Sequence, residues 1–474
     1  MEKHTKANYI LPFFVLCFMC LAGCTQETAN TAEIEQALEE GVYINGKAIE
    51  LAESGSVDLP VLSVENGITV QVVAAEDETV YVNGEEASGY VDMDISSITR
   101  EDVINLEIEK DGETTSYEIN LMPSTFPDYT TEGESATDGD FYLSTYDLST
   151  NYIFKLNNQG ELIFYKEITK TDEDGNEVNT NGLDFRKQYN SDGEVRYTYM
   201  PYLEESFADG DCSGINPGCV VVMDENYEVI DEIYYLDENG DEILIDPHGF
   251  IWIDDDHYIV AAYKQETVEV PDELGADNNL ADLAVLYIEE VKDGEVLWEF
   301  CSADYEQFLY ESNSVTWDES MDKCYDYVHF NSMNYDTDGN ILVSCRHLDA
   351  ILKISTEDGG YMLFDNADTA NWAGEADTSS VIRLTVDEEN MTVTDFVRYS
   401  VLDYFSNYMG AIRELDAENS VYLWSVGGNY SIDSDTPPEW SMIEYTETDG
   451  DVSYHFCFRF DEGTRRLYCS NKCE

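Results

Sequence analysis

The sequence predicts an all-β protein: a six-bladed β-propeller with one incomplete blade, preceded by a small β-sandwich domain. Three observations predict it. From about residue 135 onward no long apolar stretch follows a helical period, and short runs of Tyr, Phe, Val and Ile recur instead. An apolar strand that turns through a polar tip and continues apolar occurs six times, with turns at residues 160, 227, 294, 359, 390 and 450. Those turns lie 67, 67, 65, 31 and 60 residues apart, and a period of this size suits four strands plus loops, the unit of a propeller blade.

Lys3 and Lys6 precede an apolar core from Tyr9 to Leu21 that is interrupted at Pro12 and too short to span a bilayer as a structural helix. It ends in Leu21-Ala22-Gly23-Cys24, which resembles a bacterial lipobox. Residues 1–24 are therefore expected to be a lipoprotein signal peptide, with Cys24 lipidated; a plain cleaved signal is the alternative. The chain is then exported and anchored by lipid to the outer face of the bacterial cytoplasmic membrane, its only membrane contact. Residues 25–40 read as a flexible spacer rich in Thr, Glu and Ala. Segment 41–122 alternates apolar and polar residues between Asn-Gly and Asp-Gly turns, the pattern of a small sandwich. Pro123 and Pro127 mark a linker, and 135–474 is the propeller.

The interval of 31 residues is the anomaly. A second hairpin set interleaves with the first, and in it Met362 aligns with Ile341 and Ile259. Two of these copies carry a histidine shortly before the turn, His248 lying 11 residues ahead of Ile259 and His329 lying 12 ahead of Ile341. The third copy should carry one near residue 350, where Asp349-Ala350-Ile351 stands instead, so half a blade and its histidine are missing.

Histidines at matching positions of successive blades converge on the central channel, because each blade presents its innermost strand there. Arg346 follows His329 by 17 residues in a chain with 23 Lys and Arg against 101 Asp and Glu. Two imidazoles and a scarce guanidinium point to a local anion site, since charge-assisted hydrogen bonds hold an oxyanion and a neutral imidazole can act as base or nucleophile. Asn331, two residues beyond His329, is expected on the same strand face as an amide donor. His347 should alternate to the face opposite Arg346 and be structural, as should His257 and His455. The net charge of −78 excludes nucleic acid and anionic membrane surfaces as partners. Of 11 cysteines, Cys212/Cys219 and Cys301/Cys324 are near-sequence disulfide candidates. No Cys-x-x-Cys occurs with matched histidine spacing, so neither a metal nor another cofactor is expected.

The segment Val328-His329-Phe330-Asn331-Ser332, the run Ser344-Cys345-Arg346-His347-Leu348-Asp349, the His248-Gly249-Phe250 copy and Leu363-Phe364-Asp365-Asn366 resemble the bacterial arylsulfotransferases. The resemblance implies a propeller that moves a sulfuryl group from a phenolic sulfate ester to a phenol acceptor without a nucleotide donor. It further implies that His248, His329 and Arg346 bind the sulfuryl oxygens and assist the phenols, with Asn331 beside them, and it suggests a homodimer. The histidine that such enzymes sulfate lies in a Gln-His-Asp-Ala-like stretch before the Leu-Phe-Asp-Asn strand, and this chain has no such stretch. A surface propeller that binds anionic aromatic ligands without turnover is the alternative function.

Overall fold

The computed structural model describes residues 40–51, 55–172, 174–204, 207, 215–274, 279–313, 324–357, 361–364, 378–387, 392–406, 409–428, 439–461, 466–467 and 470–473. Cys24, the expected signal peptide, nearly all of the spacer, and Cys212 of the first disulfide candidate lie outside the described residues. Strands make up almost all of the regular structure, and helix is confined to short turns such as Gln307–Glu311. Among the described residues no helix is long and apolar enough to cross a membrane.

All six expected hairpins form, including Tyr152–Leu156 with Leu162–Glu167, Val220–Met223 with Val229–Ile233 and Met442–Thr448 with Asp451–Phe460. Their tips need left-handed backbone: Gly160, Tyr227, Gly294 and Gly450 have φ of 81°, 62°, 74° and 88°. Positions 359 and 390 lie outside the described residues.

The hairpins extend into antiparallel meanders. One runs Gly182–Tyr189, Val195–Pro201, Val220–Met223 and Val229–Ile233; the next, Phe250–Asp254, His257–Glu269, Leu280–Lys292 and Glu295–Cys301; the next, Phe330–Tyr335, Ile341–Cys345, Ala350–Ile354 and Tyr361–Phe364. Strands such as Tyr152–Leu156 and Val220–Met223 are buried at every residue, so these sheets are covered on both faces. One apolar core joins the 182–233 sheet to the 250–301 sheet through Val222, Ile233, Phe250 and Val260. Another joins the 250–301 sheet to the 330–364 sheet through Ile259, Leu286, Phe330 and Val343. Segments far apart in sequence meet as well: Asn471–Cys473 pairs with Asp140–Tyr142, and the buried Lys472 side chain reaches the Thr137 carbonyl at 2.6 Å and Glu444 at 3.2 Å.

Two sheets occupy 41–120, and Val61–Ser63 hydrogen-bonds to the strand Leu162–Glu167. The expected linker is held fast: Phe126 is buried, with ring centroids 5.1 Å from Tyr152 and 5.4 Å from Phe154.

Two expectations need correction. Tyr361–Phe364 is not equivalent to the strands of Ile259 and Ile341; it pairs with Ala350–Ile354 as the outer strand of their sheet, because only six residues connect the two. Among the described residues, Val381–Asp387 and Thr392–Tyr399 form a two-stranded sheet, and residues 365–377 lie outside the described residues. Cys301 and Cys324 are both free thiols. They pair with Tyr287 and Asp282, five residues apart along one strand. Five residues of strand span about 17 Å, far beyond the roughly 4.4–6.8 Å between Cα atoms that a disulfide tolerates.

Candidate functional site

His248 and His329 each sit just before the first strand of adjacent meanders, Phe250–Asp254 and Phe330–Tyr335. The two sheets can approach closely here because Gly249 has no side chain: a Cβ at that position would lie 2.7 Å from the Phe330 ring. The imidazole centroids of His248 and His329 are 5.9 Å apart. The predicted convergence of these two residues is therefore present in the structure.

Each histidine is held by an aspartate just upstream. Asp246 accepts the His248 backbone N–H at 2.9 Å and lies 2.7 Å from its Nδ1. Asp326 accepts the His329 backbone N–H at 2.9 Å through one oxygen and bonds Nδ1 through the other. A carboxylate on Nδ1 fixes the ring and its tautomer and leaves Nε2 for chemistry. These aspartates escaped the sequence reading, although Asp246-Pro247-His248 and Asp326-Tyr327-Val328-His329 repeat the acid two or three residues before each imidazole.

His329 has φ of 51°, an uncommon conformation for a non-glycine residue and one that surrounding structure must impose. Hydrogen bonds on both sides impose it. The Tyr263 hydroxyl accepts the Phe330 N–H at 2.6 Å, and the His329 carbonyl accepts the Arg346 N–H at 2.8 Å. The His347 N–H likewise donates to the Val328 carbonyl at 3.0 Å.

Those last bonds overturn the expectation for His347. The strand Ile341–Cys345 stops one residue before Arg346, and Arg346–Leu348 forms a single 3-10 turn, so strand alternation does not apply. His347 instead lies beside His329, ring centroids 4.6 Å apart, with Nδ1 2.6 Å from the Asp326 carbonyl oxygen. A third histidine thus reaches the site. Arg346 itself is exposed, and among the described residues no carboxylate lies within ion-pair distance of its guanidinium.

The expectation for Asn331 also changes. His329 lies outside the strand, and the ladder skips from Phe330↔Cys345 to Ser332↔Ser344, which leaves Asn331 at a bulge. Among the described residues its side chain makes no hydrogen bond to either histidine. His257 and His455 are occupied elsewhere, with Glu290 and Thr446 as their partners.

Electrostatics separate the imidazoles. Burial pulls His248 down, but Asp246 and then Asp326 outweigh it and hold the ring above the ordinary histidine value, against opposition from Arg346. Burial lowers His347, which Asp326 only partly offsets. Burial, with Asp326 and Asp246 nearby, pushes the Tyr263 hydroxyl far up, so it stays neutral. Asp326, His329 and His347 also bring one ligand atom each to within 4.8 Å of one another, which makes them the group able to hold a metal ion among the described residues. A cavity of about 340 Å³ adjoins Asp246 and Tyr263, walled by Phe207, Ile215 and Lys264 among others.

Two family models, both described as arylsulfotransferase (ASST), match the chain over residues 206–362 and 355–468. Together they take in His248, His329, Arg346 and His347. No curated protein matches the chain. Among solved structures, a Bacteroides caccae protein of unknown function is similar at 10% identity and a TM-score of 0.38, over 70% of this chain and 99% of that one. Virginiamycin B lyase from Staphylococcus aureus is similar at 11% identity and a TM-score of 0.24, over 70% and 98%. The α-L-arabinofuranosidase Arb93A of Fusarium graminearum is similar at 9% identity and a TM-score of 0.28, over 84% and 90%.

Proposed function

Because the chain belongs to the arylsulfotransferase family, we propose that it transfers a sulfuryl group from a phenolic sulfate ester to a phenol at the His248, His329 and Arg346 site. The observation that carries this reading is the exposed Arg346 guanidinium, without a carboxylate partner among the described residues, beside two aspartate-held imidazoles in a chain of net charge −78. A cation left unpaired amid such an excess of acid is poised for an external anion.

Cationic His248 and Arg346 bind the sulfuryl oxygens. The bond from sulfur to the donor oxygen breaks, the phenolate takes a proton from His248, and the acceptor phenol later returns that proton as its oxygen bonds to sulfur. His347, kept neutral by burial, is the imidazole placed to carry the sulfuryl group between the two phenols in a chain without the family's usual sulfated histidine. The apolar walls of the cavity beside Asp246 are sized for one aromatic ring.

The fold fits a six-bladed propeller with a short fifth blade, since apolar cores link meanders next to one another and Asn471–Cys473 pairs back onto Asp140–Tyr142. Residues 41–122 fit a sandwich packed on its first blade. The basic start, the apolar run from Tyr9 to Leu21 and Leu21-Ala22-Gly23-Cys24 support a position outside the cytoplasmic membrane, with a lipid tether at Cys24.

Exchange between a chromogenic aryl sulfate and phenol tests the reading. Turnover that Arg346→Ala abolishes supports it; a well-folded protein with no exchange rejects it. One observation favours a second reading: no Gln-His-Asp-Ala-like stretch precedes Leu363-Phe364-Asp365-Asn366 in the sequence. A protein that only binds aryl sulfates would show affinity by calorimetry, lost in Arg346→Ala, and no exchange.

A further inference from the structure

We propose that Asp326, His329 and His347 form a binding site for one divalent ion of the zinc class. This inference rests on ligand type and spacing, without the sulfuryl-transfer reading; the two share His347, whose Nδ1 faces Asp326 and the ion and whose Nε2 is the atom that reading would use.

The donor set is two imidazole nitrogens and a carboxylate oxygen, all within 4.8 Å of one another. Tetrahedral zinc, with bonds of about 2.0–2.2 Å, sets neighbouring ligand atoms about 3.4 Å apart. His347 Nδ1 already lies 3.7 Å from Asp326 Oδ2. The set is also enclosed: the side chains of His329 and Asp326 are 3% and 0% exposed, and that of His347 is 12% exposed. Enclosure strips competing water and separates this group from the acidic surface, where carboxylates alone favour hard ions such as calcium.

Outer contacts support the ligands. The carboxylate is oriented by the His329 backbone N–H at 2.9 Å, and both histidine backbones are stitched together by the Arg346 and His347 amide bonds. The ion enters at the cost of the Nδ1 proton that His329 shares with Asp326 and of the His347 bond to the Asp326 carbonyl, so binding releases protons. Two ligands from one short loop and a third from the turn hydrogen-bonded to it keep the site within a single sheet edge. Sequence spacing hides it, because Asp326 and His329 lie 18 or more residues from His347.

Zinc titration of the chelator-stripped full chain, in a large excess of calcium to saturate surface carboxylates, tests the site. One ion per chain is expected. His347→Ala should weaken it by more than the roughly 10- to 100-fold that loss of an outer-shell partner costs, while His257→Ala should leave it unchanged. Cobalt in place of zinc should give the intense visible bands of four-coordinate nitrogen and oxygen ligation in the wild-type chain. Absence of a calcium-resistant ion, or a His347→Ala titration that overlays the wild type, overturns the proposal. So does cobalt that shows only a six-coordinate spectrum, a measurement that needs no variant to fold.

Discussion

The two histidine arms follow one plan and differ in how completely it is carried out. On the His248 arm a single oxygen of Asp246 serves both the backbone and the ring, and its second oxygen is buried with no hydrogen-bond partner among the described residues. On the His329 arm both Asp326 oxygens are used, the Asp326 carbonyl takes a second imidazole, and the histidine is held in left-handed backbone. The first arm holds a ring that prefers to be charged; the second is a locked scaffold on which other residues are placed. One motif repeated in sequence thus holds a ring inclined to carry charge on one sheet and a ring in locked backbone on the next.

The largest expected effect breaks this comparison if it fails. Asp326→Ala leaves the buried backbone and ring donors of His329 unpaired. Each buried donor left without its acceptor costs about 1–3 kcal/mol, and Asp326 serves two of them through separate oxygens. Asp246→Ala removes one serving oxygen but also an unsatisfied one, so it should cost about 1–3 kcal/mol. Urea unfolding of the two variants measures the gap, and equal losses would show that the arms are energetically alike.

A smaller effect separates the arms by pH. Because the His248 pKa is raised, the folded state binds its proton more tightly than the unfolded chain does. Its stabilisation is complete below the ordinary value of 6.5 and is lost as pH rises through the higher folded value. His347 behaves in the opposite sense: its pKa is lowered, so it stabilises the fold above 6.5, and that contribution is lost as pH falls toward the folded value. Titrating the ring proton resonances by NMR should therefore place the His248 midpoint above that of His347. The reverse order would remove the division of labour, and aryl sulfate affinity should decline as pH rises through the His248 midpoint.

Much of the fold was legible in the sequence because hairpin chemistry is local. Polar tips at 160, 294 and 450 need positive φ, and the glycine at each announces that directly, whereas Tyr227 takes the same conformation without such a signal. Which turns belong to one sheet was less legible: Met362 fits the alternating pattern of Ile341, but the six-residue connection from Ala350–Ile354 makes its strand an outer one. At the site, matched spacing singled out His248 and His329, and the structure sets their rings 5.9 Å apart because both precede the first strand of neighbouring meanders. It misplaced His347 because a single 3-10 turn after Cys345 ends the alternation on which the argument depended. The buttressing aspartates were missed for a different reason. In a chain with 101 acids, two more ahead of a histidine carry little information until a distance is known.

The smallest expected effect sharpens the comparison from the side of the scaffold. Asn331 follows His329 closely in sequence, and on a regular strand it would share its face. The bulge between Phe330 and Ser332 breaks that relation, and among the described residues the amide bonds neither imidazole. Asn331→Ala should therefore change aryl sulfate affinity within the range of an unremarkable surface substitution, about 0.5 kcal/mol, or little more than twofold. Arg346→Ala in the same calorimetric titration supplies the scale, since a hydrogen bond to a charged group is worth about 1.5–3 kcal/mol. A loss in Asn331→Ala as large as in Arg346→Ala would mean that the bulge turns the amide into the anion's path. The His329 arm would then be a binding arm in its own right as well as a scaffold, and the contrast with His248 would narrow to the proton that His248 carries.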